Sequence, residues 1–305
     1  MPIKIPNGLP AKDILISERV DVMDETTAIR QDIRPLRIAL FNLMPDKITT
    51  ETQIARVLGT SPLQIELTLL RTGSYMGKNT SEEHLLGFYK TFKDVESHFY
   101  DGIIITGAPV EHMDFKDVEY WDELTEFFDW AKTHSFSQFY ICWSAQAALH
   151  HFHGIGKTLH KDKIFGVFPH KRDTYAHPIT RGFDDCVNIP VSRYTESNAD
   201  EIKNTAALEP LLTSGDLGTA LLCDSASRQV FMFNHLEYDR DTLQNEYERD
   251  KSRGEDTSAP KNFDGTMNWR AHRNLLFMNW INLVYQGTPY DLNDLKNPEI
   301  LENWN

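Results

Sequence analysis

Apolar residues along the chain gather in short runs cut by turn-forming residues, and each run predicts an element. Residues 37–43 form an apolar stretch that stops at Met44-Pro45, as a buried strand ended by a turn does. A helix follows, with Thr50 and Gln53 read as its capping box, Ile54, Val57 and Leu58 as its stripe and Gly59 as its end. Leu63, Ile65, Leu67 and Leu69 alternate as a second strand, and residues 84–92 read as another helix. The β-branched run at 102–105, cut off by Gly107 and Pro109, has the character of a central parallel strand. Trp121, Leu124, Phe128 and Ala131 lie at helical spacing. Residues 138–141 form an apolar strand that runs straight into Ala-rich helical sequence, with Cys142 at the junction.

Further on, residues 220–223 and 229–233 read as a hairpin through Asp224-Ser225-Ala226-Ser227, the second strand leading to His235 and Glu237. Residues 239–250 predict a solvated helix, 255–264 a surface loop, and 269–286 a long amphipathic helix ended by Gly287 and Pro289. Alternating strands and helices predict a doubly wound, mostly parallel α/β sheet, whose sites gather beyond the carboxyl ends of the strands. Thr106 to Glu111 and Cys142 both fall there. The weakly patterned residues 1–35 are expected to form an arm packed on a main domain at 36–292, with 293–305 as a tail.

Composition narrows the function. With 45 acidic and 31 basic residues the net charge is −14, which repels nucleic acid and anionic lipid and excludes both as expected partners. The three cysteines, Cys142, Cys186 and Cys223, lie far apart without zinc spacing, which suggests a reducing compartment and no metal site. No secretion signal and no run long enough to span a bilayer is present, so a cytoplasmic location is expected. Phosphate loops, dinucleotide fingerprints and H-E-x-x-H motifs are missing, and with them positive signals for nucleotide, hydride or zinc chemistry.

A thiol between strand and helix sits near a helix amino terminus, where unpaired N–H groups and the dipole favour the nucleophilic anion. The same turn offers the Trp143 N–H as half of an oxyanion hole, with the Gly107-Ala108 backbone supplying the second donor at Ala108. The competing reading of Cys142 is an inert core thiol, the commoner fate of a lone cysteine. His235 and Glu237 flank Leu236 just beyond a strand, so their side chains leave on one face, and a carboxylate beside an imidazole orients a general base. Other pairings of histidine and acid, around Glu111-His112, His151 and His153, are equally close in sequence.

These motifs together resemble the homoserine O-succinyltransferase/O-acetyltransferase family, built on the class I glutamine amidotransferase (flavodoxin-like) fold. The resemblance is carried by Phe41-Asn42-Leu43-Met44-Pro45, Phe88-Tyr89-Lys90-Thr91-Phe92, Ile105-Thr106-Gly107-Ala108-Pro109, Ile141-Cys142-Trp143, Phe165-Gly166-Val167-Phe168, Glu246-Tyr247-Glu248-Arg249-Asp250 and Asn274-Leu275-Leu276-Phe277. It implies that Cys142 is the acylated nucleophile, His235 the general base and Glu237 its partner in a ping-pong reaction. It also implies that Lys163, Ser192 and Arg249 touch substrate; without it, the two cations read as solvated charges. By the same resemblance Glu111 marks acetyl rather than succinyl use. Acetyl-CoA is then a co-substrate, no cofactor is permanently bound, and L-homoserine is the expected acceptor. The chain alone sets no oligomeric state, although relatives tend to be homodimers.

The chain departs from the family pattern at Val191-Ser192-Arg193-Tyr194, Cys142-Trp143-Ser144 and Asn234-His235-Leu236-Glu237, and at Arg273. Larger side chains at Ser144, Asn234 and Arg273, with Tyr194 in place of a histidine, are read as shortening the pocket, which makes L-serine the alternative acceptor. A succinyl donor, a glutamine amidotransferase and a redox-sensing thiol module are the further alternatives.

Overall fold

The computed structural model describes residues 3–17, 22–24, 34–74, 80–255 and 257–297; the remainder of the 1–35 arm and of the 293–305 tail lies outside the described residues. A parallel core is formed by β3 (Leu36–Phe41), β4 (Ile65–Arg71), β6 (Tyr100–Ile105), β7 (Ser135–Ile141) and β12 (Gln229–Met232), in the order β4-β3-β6-β7-β12. Every residue of β6, β7 and β12 is buried, which is why these strands read as continuous apolar runs rather than alternations.

Alternate residues feed two cores. Ile38 and Leu40 pack with Ile54, Phe277 and Trp280 beneath helices α2 (Lys47–Leu58) and α9 (Arg270–Gly287). Ala39 and Phe41 pack with Phe127, Phe128 and Leu149 beneath α5 (Trp121–His134) and α6 (Trp143–His153). Each fully buried Ile, Leu or Phe among them contributes about 1.5–3 kcal/mol.

Both margins extend this core. At one edge β1 (Ile3–Ile5) pairs with β4 and β2 (Val22–Asp24) pairs with β1, both parallel, while Leu9, Ala11 and Leu15 enter the core around α1 (Ala11–Ser17). At the other, β12 pairs antiparallel with β11 (Gly218–Asp224), followed by β10 (Glu209–Ser214), β8 (Lys157–Arg172) and β9 (Cys186–Ser197), with the short helix α7 (Ala199–Asn204) between β9 and β10 in the chain. The ribbon β8/β9 had no counterpart among the sequence-based expectations. Its first half is largely exposed, so it shows no buried stripe.

Three local expectations need correction. Helix α2 starts before Thr50, because Asp46 is its cap and accepts from Thr49 N at 3.1 Å; Thr50 Oγ1 instead donates to Asp46 O. Residues 84–92 are not one helix. Helix α3 (Glu82–Phe88) gives way to the short strand β5 (Tyr89–Thr91) beside β4, and a single turn, α4 (Phe92–Val95), follows. The 255–264 loop is not merely superficial, since Lys261 bridges to Gly166 in β8 through Val167 N to Lys261 O at 2.9 Å and Lys261 N to Phe165 O at 3.0 Å. Gly166 has φ of 145°, and a Cβ there would lie 2.2 Å from Lys261 O. Gly166→Ala is expected to cost at least about 1–3 kcal/mol in a denaturant melt, through overpacking and backbone strain.

Candidate active site

The turn from β7 into α6 places Cys142 at φ 55° and ψ −119°, a conformation that costs a non-glycine residue on the order of 1–3 kcal/mol. Surrounding bonds hold it there. Cys142 N donates to Met232 O of β12 at 2.6 Å, and Cys142 O accepts from Ala145 N and Gln146 N. The thiol-bearing residue is buried. As the first residue of α6, Trp143 has an N–H with no intrahelical acceptor. The loop after β6 presses on the same turn: a Cβ on Gly107 would sit 3.1 Å from Cys142 Cβ and 3.6 Å from Trp143 N. Glycine therefore brings the Gly107-Ala108 backbone to the elbow. Thr106 ties that loop to the one after β3 by accepting from Leu43 N at 2.8 Å.

His235 follows β12 and is fastened to β9 by its N–H, which donates to Pro190 O at 2.8 Å. Its Nδ1 lies 2.7 Å from Glu237 Oε1, which leaves Nε2 to face Cys142, with which the imidazole also hydrogen-bonds. Tyr238 stacks on the imidazole, with centroids 4.2 Å apart and planes 19° apart. Burial alone would push the imidazole pKa down. The Glu237 carboxylate and then the Cys142 sulfur outweigh it and hold His235 well above the usual histidine range. Of the alternative pairings, His151 bonds Asp129 and His153 faces Asp224, and neither lines the cavity at Cys142; His112 does line it.

That cavity, of about 410 Å³, unites Cys142 and His235 with Glu111, Lys163, Ser192 and Arg249. Lys163 Nζ donates to Asp250 Oδ2 at 2.9 Å, and Arg249 Nε donates to Asp250 Oδ1 at 2.8 Å. Although burial opposes it, the two cations keep the Asp250 carboxyl below its usual range. Lys163 of β8 is thus largely buried at the cavity wall, while Arg249 of α8 (Thr242–Ser252) is half exposed there and tied to Asp250. Glu111 is fixed by β9, its carboxylate accepting from Tyr194 N at 3.2 Å, Thr195 N at 3.3 Å and Thr195 Oγ1 at 2.8 Å.

Sequence reasoning missed two residues here. Glu246 accepts from Ser192 Oγ at 2.6 Å and from Tyr238 Oη at 2.5 Å, so Tyr238 connects the imidazole to the polar wall. Glu246 lies three residues before Arg249, on the same face of α8, and that spacing was the available signal.

The expectation of a pocket shortened by Ser144, Asn234 and Arg273 is overturned, because none of the three lines the cavity. Ser144 Oγ lies between Ile105 O and Ile141 O, at 2.8 and 3.0 Å, beneath the elbow. Asn234 Oδ1 accepts from Arg193 Nε while its amide donates to His170 Nε2. Arg273 Nη1 donates to Asp239 Oδ1 at 3.1 Å. Tyr194 alone of the four faces the cavity, where it packs against His112. L-Serine as acceptor loses its structural argument. Among the described residues, no three His, Cys, Asp or Glu side chains cluster as a metal site would, and no helix is long and apolar enough to cross a membrane.

A parallel sheet with a strained cysteine elbow beside a His–Glu pair defines the class I glutamine amidotransferase-like fold. A solved glutamine amidotransferase from Thermotoga maritima superimposes with a TM-score of 0.55 at 14% identity, over 83% of this chain and 99% of its own. The chain belongs to the homoserine O-succinyltransferase family, which it matches over residues 2–290. Curated relatives named homoserine O-acetyltransferase, from Hyphomonas neptunium and Acetivibrio thermocellus, are each 50% identical over 97% of this chain and cover 99% and 100% of their own lengths.

Proposed function

We propose that this protein is a homoserine O-acetyltransferase that carries the acetyl group on Cys142. The observation that carries the reading is the single cavity in which Cys142 and the Glu237-held His235 share a wall with Glu111 and a set of groups suited to an amino acid. The names of relatives at 50% identity support the same donor and acceptor.

In the first half-reaction the Cys142 proton passes to His235 and the sulfur attacks the thioester carbonyl of acetyl-CoA. The Cys142 S–C bond forms, the CoA S–C bond breaks, and the CoA sulfur takes the proton back from His235. In the second, the acceptor hydroxyl gives its proton to His235 and attacks the acetyl-cysteine. The new ester C–O bond forms, the Cys142 S–C bond breaks, and the proton returns to the cysteine. The N–H groups of Trp143 and Ala108 face the oxyanion in both tetrahedral intermediates. Arg249 takes the acceptor carboxylate and Glu246 its ammonium, with Lys163 and Ser192 fixing their placement.

Comparing kcat/KM for L-homoserine and L-serine, each with acetyl-CoA and succinyl-CoA, tests the reading. The pair of acetyl-CoA and L-homoserine should be fastest; higher efficiency with serine or with succinyl-CoA would overturn the assignment. Glu111 is pinned by three donors on β9, so it occupies a fixed volume as well as carrying charge, and a succinyl carboxylate would meet both. Glu111→Gly is therefore expected to move the succinyl-to-acetyl ratio of kcat/KM up by about tenfold or more. An unchanged ratio would remove Glu111 from donor choice.

A further inference from the structure

In an open parallel sheet, ligands bind beyond the carboxyl ends of two neighbouring strands whose onward connections run to opposite sides. That point lies here between β3 and β6. From β3 the chain crosses by α2 to β4 on one side; from β6 it crosses by α5, on the opposite face, to β7 on the other. The cavity at Cys142 is displaced from this point toward β7 and β12. At the switch point itself, described residues after β3 and β6, with Arg71 and Thr72 at the end of β4, line a second cavity of about 290 Å³.

The two cavities are neighbours, since Met44 and Pro109 line both. Their chemistry differs. The first is walled by charged and hydrogen-bonding groups, the second mainly by Leu43, Val110, Met113 and Val118. Two cations face the second. Lys47 Nζ donates to Asn42 O at 2.6 Å and to Met44 O at 3.0 Å, which leaves one of its three protons. Arg71 Nη1 donates to Thr72 O, while its buried Nε has no hydrogen-bond partner among the described residues. A buried donor of that kind calls for an acceptor.

We propose that this second cavity receives the pantetheine arm of the acyl-CoA donor, with the thioester end passing Met44 and Pro109 to reach Cys142 and the phosphate end toward Arg71. The proposal rests on acyl-CoA being the donor. The amino-acid acceptor is too short and too polar to need this space, whereas the arm has an apolar gem-dimethyl segment, two amides to accept from Lys47, and phosphates for a guanidinium. Burial, helped by Arg71, lowers the Lys47 pKa to about 8, and an anion bound nearby would reverse that cost.

The two half-reactions allow a clean test. Charging of Cys142 without acceptor is followed by intact mass, using acetyl-CoA, acetyl-pantetheine and S-acetyl-N-acetylcysteamine, a short thioester that keeps only the cysteamine end of the arm and lacks its gem-dimethyl segment. Met113 is 41% exposed at the rim, so Met113→Trp can fill the cavity from outside the core. It should lower charging efficiency by about tenfold or more with acetyl-CoA and acetyl-pantetheine, and leave the short thioester unchanged. Arg71→Met should weaken acetyl-CoA alone. The kcat/KM for homoserine, which reports the second half-reaction alone, should stay constant in both. Undiminished charging by acetyl-CoA in both variants, or equal losses with all three donors, would overturn the proposal. Failure of the unaltered protein to be charged by acetyl-CoA would instead defeat the acetyltransferase reading beneath it.

Discussion

Cys142→Ser should abolish acyl-enzyme formation and lower turnover by at least about a thousandfold, the scale seen when a covalent nucleophile is removed. The elbow itself should survive the change. Its conformation is held by backbone bonds to Met232 O and from Ala145 N and Gln146 N, none of which uses the sulfur. Thermal unfolding of the variant should therefore match that of the unaltered protein, which separates a chemical loss from a folding loss. A hydroxyl is a weaker nucleophile than a thiol near neutral pH, and an ester once formed would be a poorer donor than a thioester. Intact-mass and peptide mapping after incubation with acetyl-CoA give the readout. An acetyl adduct on another residue, or near-normal turnover by the serine variant, would sink the covalent mechanism.

His235→Asn should cost about 10²–10⁴-fold in kcat/KM, because neither the thiol nor the acceptor hydroxyl then has a base. Glu237→Gln should be milder and carry a signature in pH. Burial drives the His235 imidazole toward its neutral form, and Glu237 is the largest influence opposing it. With that carboxylate gone the imidazole loses its largest raising influence, and the ionisation of His235 in the kcat/KM profile should move to lower pH. Stability should respond in a matching sense. A histidine raised in the folded state contributes stability that is complete below its unfolded pKa of about 6.5 and is lost as pH rises through the higher folded value. Glu237→Gln should weaken that dependence. Identical pH–rate profiles for the variant and the unaltered protein would show that Glu237 does not tune His235.

Much of the central sheet could be read in advance because β6, β7 and β12 are buried on both faces, and a β-branched or aromatic run cut by Gly and Pro has few other readings. The ribbon β8/β9 escaped because Lys157 to Lys163 carry mostly polar side chains in an exposed segment, where burial imposes no period on the sequence. Tyr89 to Thr91 continue the apolar spacing of the preceding helix, and only pairing with β4 makes them a strand. The pairing of Cys142 with His235 was legible through junction and motif. Tyr238 and Glu246 were not, since their importance lies in a stack and a hydrogen bond that exist only once β12, β9 and α8 have met. Ser144 and Asn234 show the reverse: they adjoin the catalytic motifs in sequence, yet their side chains turn to Ile105 O and Arg193 and away from the cavity.

The strands that deliver Cys142 and His235 lie side by side, with Ile141 opposite Met232, yet the whole antiparallel ribbon is inserted between them in the chain. Attacking and proton-moving groups therefore ride on one rigid pair of strands, while Lys163, Ser192 and the donors that pin Glu111 ride on the inserted excursion. Reactive and selecting groups thereby sit on different stretches of chain, joined where His235 N donates to Pro190 O and where Glu246 accepts from Ser192 and Tyr238. Substitutions on the excursion away from Pro190 can then change which molecules enter while the strand pair that carries the reactive groups stays in place.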